Sequence, residues 1–199
     1  VQLTGDNTSL VIQQGGVFTY DNSVGGSHVF SAIFANGNNQ SVTVTNNGQI
    51  TVGNASFTDT FDKDAVHMER PLSFTLNNTG SIITNVNSAA SNAVELQRTN
   101  GGTATITNSG SIVARAGNGI GQAFAQGPYT VNVTNLAGGL ISSTNNTAIV
   151  GPDGHTWTLR NAGTISTGRG AAQAAITWGN GADTLILETT FETSDGKAT

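Results

Sequence analysis

A short motif that recurs five times along the chain constrains its fold more than any other feature. Each copy alternates apolar and polar residues, then places an asparagine, a glycine and an aliphatic residue in that order. Neighbouring copies lie 26 to 32 residues apart. The anchoring asparagines are Asn46, Asn78, Asn108, Asn135 and Asn161. Internal repetition at such a period is typical of solenoids, in which each repeat forms one structural unit.

A second motif falls between the copies of the first. It begins with a small residue, alanine or glycine, followed by an aliphatic residue, as in Ala65-Val66 and Ala93-Val94. Its aliphatic anchors lie 26 to 33 residues apart and are Ile33, Val66, Val94, Ile120, Ile149 and Ile176. Because both motifs share one period, they indicate two parts of the same repeating coil.

The residue types of the repeats favour strands over helices. The copies are rich in Thr, Val, Ile and Gly, which oppose helix formation and suit strands and tight turns. Two or three strands of about 5 residues, with their turns, fill one period. The sequence therefore predicts an all-β fold, a right-handed parallel β-helix of about six coils with a period of 26–33 residues. The hand follows the general preference of parallel crossovers.

The repeat also predicts the domain organisation. We expect a single β-helix domain over residues 1–199, with an N-terminal cap or partial coil at 1–30, repeat coils at 31–187 and a tail at 188–199. Alternating residues such as Val42 and Val44, or Trp157 and Leu159, should face inward and stack into interior columns. The asparagines should form a ladder of stacked amides, and the glycines after them should supply a positive φ.

Composition excludes several classes of protein. Only 10% of the residues are charged, against about 25% in an average globular protein. The chain has no cysteine, which excludes disulfides, thiolate zinc sites and cysteine nucleophiles. A net charge of −5 with seven scattered Lys and Arg argues against nucleic acid as a partner. No apolar run is long enough to span a membrane as a helix.

The run Ile-Thr-Asn-Ser-Gly-Ser-Ile at 106–112 and its relatives resemble the passenger repeats of bacterial autotransporters. The segment 178–187 also resembles the terminal coil of such arrays, and the similarity covers residues 30 to 190. Filamentous haemagglutinin-like adhesins and some phage fibres use similar coils. The resemblance implies a right-handed β-helix on the bacterial surface or released from it. We expect a passenger piece whose signal sequence and C-terminal membrane barrel lie outside this chain.

The densest group of acids is the most obvious candidate for catalysis, since pectin-degrading β-helix enzymes use clustered acids. Asp59, Asp62 and Asp64 lie where the first full coil is longest, and we expect them in a solvated, protruding loop. Glycosidases need two acids facing the scissile bond, and no other coil places acids beside this group. The sequence therefore predicts a protein that is not an enzyme.

Metal and cofactor sites find little support in the sequence. The segment 179–185 matches part of a calcium-binding nonapeptide pattern, which makes Asp183 a weak candidate ligand. Such sites need stacked copies, and only one copy exists. His28, His67 and His155 have no metal-ligand spacing and are interpreted as separate surface residues. We expect no cofactor.

Alignment of Ala65–Arg70 with Ala93–Arg98 predicts a small charged patch on an otherwise neutral rod. If Val66 stacks on Val94, Met68 and Leu96 face inward and the polar residues between them should face solvent as neighbours. The patch consists of His67, Glu69, Arg70, Glu95, Gln97 and Arg98. Together with Asp59, Asp62 and Asp64, it is the predicted interaction surface, although a merely solvated face is the alternative.

The leading functional hypothesis is an extracellular passenger, on the bacterial cell surface or secreted, that acts as an adhesin or effector. Its expected partner is a protein or glycan on another cell, with self-association also open and membrane contact only through the expected barrel. One alternative is binding or processing of carbohydrate, as in lyases and tailspikes. Trp157 and Trp178 are the available aromatic platforms for a sugar, but both are predicted to face inward. Another alternative is a structural stalk.

Overall fold

The chain folds into a β-solenoid of stacked parallel strands, as the computed structural model of the protein shows. The structure describes residues 1–20, 31–53, 63–123, 126–170 and 174–188, without the side chains of residues 36–39. No helix occurs among these residues, and the predicted all-β fold with the architecture of a right-handed parallel β-helix is confirmed. The described part contains about five turns rather than the predicted six.

The described residues form eighteen strands, and every pair between these strands is parallel. Two long strands pass round a corner, whereas the others are confined to one side of the coil. In chain order they are β1 (Gln2–Leu3), β2 (Thr8–Ile12), β3 (Val17–Tyr20), β4 (Ile33–Asn46), β5 (Gln49–Val52), β6 (Val66–Asn78), β7 (Ser81–Thr84), β8 (Val94–Gln97), β9 (Thr103–Asn108), β10 (Ser111–Ala114), β11 (Ile120–Ala123), β12 (Thr130–Asn135), β13 (Leu140–Ser143), β14 (Ile149–Val150), β15 (Thr156–Asn161), β16 (Thr164–Thr167), β17 (Ile176–Thr177) and β18 (Thr184–Leu187).

Each coil has three faces. The first face contains β1, the first parts of β4 and β6, and then β8, β11, β14 and β17. The second face contains β2, the second parts of β4 and β6, and then β9, β12, β15 and β18. The third face is a separate sheet of β3, β5, β7, β10, β13 and β16. The second sequence motif therefore forms the first face, and the first motif forms the second and third faces.

Alternation along the strands builds the core as predicted. On the second face, Val44, Leu76, Ile106, Val133 and Leu159 align in register and are at most 1% exposed. Burial of one such side chain stabilises a fold by about 1.5–3 kcal/mol. Because no single coil can enclose its own apolar residues, each coil depends on its neighbours for this burial.

The predicted asparagine ladder is also confirmed, at the corner between the second and third faces. Each side-chain amide donates a hydrogen bond to the amide oxygen of the asparagine one coil later, over 2.7–2.8 Å. The same amide groups also donate to backbone carbonyls of the following strand, as Asn46 does to Ser81 at 3.1 Å. The ladder satisfies groups that would otherwise be buried without partners.

The predicted role of the glycines beside the ladder is wrong. Gly48, Gly80 and Gly110 do not adopt a positive φ. Their corner instead brings successive turns so close that a Cβ on Gly110 would lie 2.0 Å from the carbonyl oxygen of Gly80. Glycine is required there for close stacking of backbones and not for conformational freedom. In the fourth copy the extra residue, Gly138, is the one with a positive φ, of 83°.

The N-terminal residues are part of the solenoid. Although their sequence fits the repeat poorly, β1 and β2 pair with β4, and β3 pairs with β5. Leu10 aligns with Val44, and Phe18 aligns with Ile50. Residues 2–20 thus contribute a strand to each of the three faces.

Candidate functional site

The strands of the predicted charged patch align as the sequence indicated. In the pairing of β6 with β8, Val66 lies beside Val94, His67 beside Glu95, and Glu69 beside Gln97. The polar residues therefore share one side of the first face.

The expected exposure of this patch is wrong, however. His67 is 0% exposed, Glu95 is 1% exposed, and Glu69 and Gln97 are each 7% exposed. His67 lies between Phe34 of the preceding coil and Glu95 of the following coil. The ring centroids of His67 and Phe34 are 5.2 Å apart. Most of the predicted interaction surface is thus a buried polar cluster.

Asp64 organises this buried cluster. Its Oδ2 accepts a hydrogen bond from Nδ1 of His67 at 2.6 Å, and its Oδ1 accepts one from the backbone N–H of Asn92 at 2.7 Å. The Asn92 side chain in turn donates to the carboxylate of Glu95. Buried charged groups are tolerated when hydrogen bonds and opposite charges compensate them, and this arrangement supplies such bonds.

The prediction that Asp64 belongs to a solvated, protruding loop is also wrong, since Asp64 is 0% exposed. Asp59 and Asp62 lie outside the described residues. Lys63 is likewise 0% exposed, its N–H donating to the Ser91 hydroxyl at 3.1 Å. The acidic run Asp59–Asp64 therefore ends inside the protein, and a substrate in solution would not reach Asp64.

A second column of polar side chains, which the sequence analysis missed, runs along the corner before the first face. Asp64 Oδ1 accepts from the N–H of Asn92, and Asn92 Oδ1 accepts from the N–H of Asn118 at 2.6 Å. These residues lie at equivalent positions of successive coils, two before the aliphatic anchors Val66, Val94 and Ile120. A repeated Asp or Asn at this position was the sequence signal that could have revealed the column.

The arginines of the predicted patch lie at its edge. Arg98 has a side chain that is 44% exposed and pairs with Glu69 at 2.5 Å, which links neighbouring coils. Arg70 and Arg98 both have a positive φ, of 54° and 51°, where the chain turns away from the first face. Of the predicted patch, only this edge is accessible to a partner.

The carboxylate of Asp183 is used to join coils. Its Oδ1 accepts a hydrogen bond from the backbone N–H of Trp157 at 2.9 Å. Asp153 Oδ1 likewise accepts a hydrogen bond from the backbone N–H of Asn180 at 2.6 Å. Among the described residues, acidic and histidine side chains do not gather in groups of three that could hold a metal ion. A calcium site at Asp183 stays an untested prediction.

The interpretation of His155 as a surface residue is wrong, since it is 3% exposed. Burial lowers the pKa of His155, against smaller opposing effects of a backbone hydrogen bond to Tyr129 and of the Asp183 charge. Burial also raises the pKa of the Tyr129 hydroxyl. A shallow cavity of about 240 Å³ beside His155 is lined by Gly127, Pro128, Asp153 and Gly154. Trp157 is 1% exposed and Trp178 packs against the core, so neither forms an open platform for a sugar.

The most regular accessible surface is the outward side of the second face. Its middle column of side chains is aligned by the strand register and contains Thr43, Thr75, Thr105, Asn132, Thr158 and Thr184. The flanking columns from β4 to β12 also carry only hydroxyl and amide side chains. The sequence signal for this surface is the run of polar residues that alternate with the inward-facing ones.

Comparison with known proteins gave no matching family model, no similar curated protein and no similar solved structure. The described residues include no helix with the length and apolar character needed to cross a bilayer.

Proposed function

We propose that this chain is a non-enzymatic, extracellular β-helical passenger of the autotransporter type, on the bacterial surface or secreted, that contacts another cell. The proposal rests on the resemblance of its repeats to such passengers and on one structural observation. That observation is the outward side of the second face from β4 to β12, an aligned and uncharged array of hydroxyl and amide groups that includes Thr75 and Thr105.

The position of the charged residues supports a role in contact rather than catalysis. Asp64, His67 and Glu95 are the group most similar to an acid–base site, but they are at most 1% exposed. General acid–base catalysis requires the group to lie within hydrogen-bond reach of the substrate. Their hydrogen bonds are instead made inside the protein: Asp64 bonds to His67 and Asn92 to Glu95 within one coil, and the bond from the N–H of Asn92 to Asp64 joins two neighbouring coils.

A flat face with a repeat of about 4.8 Å between strands suits a partner that it contacts at many weak points. Hydroxyl groups both donate and accept hydrogen bonds, so they adapt to varied partners. The absence of charge on this face from β4 to β12 lowers the cost of removing water from it, because desolvating a charged group is more expensive than desolvating a hydroxyl.

The test measures saturable binding of the purified chain to cells and to a glycan array. A Thr105→Lys variant places a charge in the middle of the second face, whereas Ser142→Lys places one on the outward side of the third face as a matched control. We expect saturable cell binding with a silent glycan array, and at least a tenfold loss for Thr105→Lys alone. Turnover of a polysaccharide, or equal binding by both variants, would contradict the proposal.

A further inference from the structure

The outward side chains of the second face form a grid that repeats in two directions. Three outward columns run side by side, and the strand register gives each column one member in each of β4, β6, β9 and β12. Every member has a hydroxyl or amide side chain, and threonine is the commonest residue type. The columns are Ser41, Ser73, Thr103 and Thr130; Thr43, Thr75, Thr105 and Asn132; and Thr45, Asn77, Thr107 and Thr134.

The spacing of this grid is set by the backbone. Neighbouring strands lie about 4.8 Å apart, and outward residues two positions apart in one strand are separated by about 6.6 Å. The pairing from Ser41 to Thr45 continues through β6 and β9 to β12 without a register shift. The grid is therefore regular in both directions, as the surface of a crystal is.

The hydroxyl groups of the grid are available to molecules outside the protein. Within the described residues they make no hydrogen bond to another protein group. Threonine hydroxyls elsewhere do make such bonds, as Thr84 does to the carbonyl of Lys63 and Thr167 to the carbonyl of Asn146. Because threonine is stiff at χ1, the backbone also fixes where its hydroxyl and methyl groups lie.

The chemistry of the grid suits the ordering of water. Apolar groups such as the threonine methyl restrict the orientation of the water beside them, and a hydroxyl both donates to water and accepts from it. Charged side chains, which would orient water around themselves, are absent from the grid. In the third column the grid is bounded by Val11 beside Thr45 and by Arg160 beside Thr134.

Crystalline water has a surface of matching geometry. The prism planes of hexagonal ice present water molecules in a rectangular array. One repeat of that array is slightly shorter than the distance between neighbouring strands, and the other is slightly longer than the distance between alternate residues of a strand. Ice carries no net charge, so an uncharged grid is also its electrostatic complement.

We infer that the second face binds ice through this grid, with Thr75 and Thr105 in its middle column. Water held by the hydroxyl and methyl groups lies close to positions of the ice lattice and joins the crystal with little rearrangement. Contact at many equivalent points then holds the protein on the crystal. The inference does not depend on the proposed function, because ice and another cell are separate partners of the same face.

The third face offers a comparison within the same molecule. Its outward side chains are also aligned by the strand register, but Ile83, Val113 and Leu140 interrupt the hydroxyl groups. An aliphatic side chain cannot anchor water by a hydrogen bond. The third face is therefore not expected to bind ice, and it provides positions for control variants.

The experiment measures thermal hysteresis, the gap between the melting and freezing temperatures of a small ice crystal in a solution of the full chain. It also measures whether the protein is incorporated into slowly growing ice, from which most solutes are excluded. We expect the wild type to show hysteresis that rises with concentration and to enter the ice. Thr105→Lys places a long charged side chain in the middle of the grid, and we expect it to reduce hysteresis at least tenfold.

Two further variants keep the result interpretable. Thr75→Lys changes the same column one coil earlier and should act like Thr105→Lys, whereas Ser142→Lys on the third face should behave like the wild type. Far-UV circular dichroism checks that each variant is folded. A folded wild type without hysteresis that is excluded from ice would overturn the inference, even if it binds cells and the proposed function stands. Hysteresis that neither Thr75→Lys nor Thr105→Lys weakens would overturn it too.

Discussion

Two corners of the same coil are held by polar columns of different chemistry. At the corner between the second and third faces, neutral asparagine side chains bond to one another through five coils. At the corner before the first face, side-chain oxygens instead accept from backbone N–H groups, and the column begins with the charged Asp64. Both arrangements satisfy buried polar groups, but only the second buries ionisable side chains with it.

The comparison teaches that a repeated column tolerates a charge where the surroundings supply compensation. Asp64 and Asn92 occupy equivalent positions in successive coils. The carboxylate of Asp64 bonds to His67, whereas the amide of Asn92 donates to the carboxylate of Glu95, the residue equivalent to His67. The neutral ladder keeps one residue type throughout, because each amide both donates to the next coil and accepts from the previous one.

The largest expected effect is at the charged corner. Asp64→Ala removes the acceptor for His67 and for the N–H of Asn92 and leaves the remaining charged groups buried. We expect a loss of about 3–5 kcal/mol in the free energy of unfolding, measured by urea denaturation.

Two further variants serve as comparisons for Asp64→Ala. Asp64→Asn keeps an acceptor for the N–H of Asn92 and should cost less than Asp64→Ala. Asn118→Ala, in the half-buried continuation of the same column, keeps the backbone N–H that donates to Asn92 and removes a side-chain oxygen without a hydrogen-bond partner, so it should cost less than about 1 kcal/mol. If Asp64→Ala cost no more than Asn118→Ala, the two corners would not differ in the way described.

Substitutions in the neutral asparagine ladder should lower the free energy of unfolding by less than Asp64→Ala does. Asn108→Ala interrupts the middle of the ladder and leaves the oxygen of Asn135 without its donor and the amide of Asn78 without its acceptor. We expect a loss of about 2–3 kcal/mol by thermal denaturation, in the range for buried groups left without partners. Asn161→Ala, at the half-buried end of the ladder, should cost about 1 kcal/mol. Equal losses would mean that position in the ladder is unimportant.

The glycines beside the ladder differ in the same way between close stacking and backbone conformation. Gly110→Ala forces a Cβ against backbone of the preceding coil, whereas the Cβ of Gly138→Ala would have nothing within 4 Å and meets only an unfavourable φ. We expect Gly110→Ala to cost about 2–3 kcal/mol and Gly138→Ala about 1 kcal/mol. Chemical denaturation of both variants would distinguish stacking from conformation, and a larger cost for Gly138→Ala would restore the original interpretation.

The smallest effect concerns a buried histidine without a hydrogen-bonded carboxylate. Burial holds the pKa of His155 below 6.5, so the unfolded chain binds more protons than the folded chain as the pH falls below that value. The contribution of His155 to stability is therefore present above pH 6.5 and is lost as the pH falls towards its folded pKa. His155→Gln should flatten this part of the stability curve, and an unchanged slope would show that His155 does not contribute.

The sequence predicts the register of the coils better than it predicts which polar side chains are exposed. The register of His67 with Glu95 followed from the repeat, but the conclusion that both face solvent did not. Alternation along a strand identifies two sides, and it assigns the polar side to solvent only when nothing covers that side. The same step failed for Asp64 and His155, which are polar residues in turns yet lie inside the protein.

What the sequence determined by itself is the stacking. A fixed period, together with alternation, places Val44 on Leu76 and Asn46 on Asn78, because neighbouring coils repeat the same local geometry. What only the tertiary structure decided is how closely the corners approach and what they enclose. The contact of Gly110 with Gly80 and the burial of Asp64 depend on distances between turns, and these are set by the packing of all three faces together.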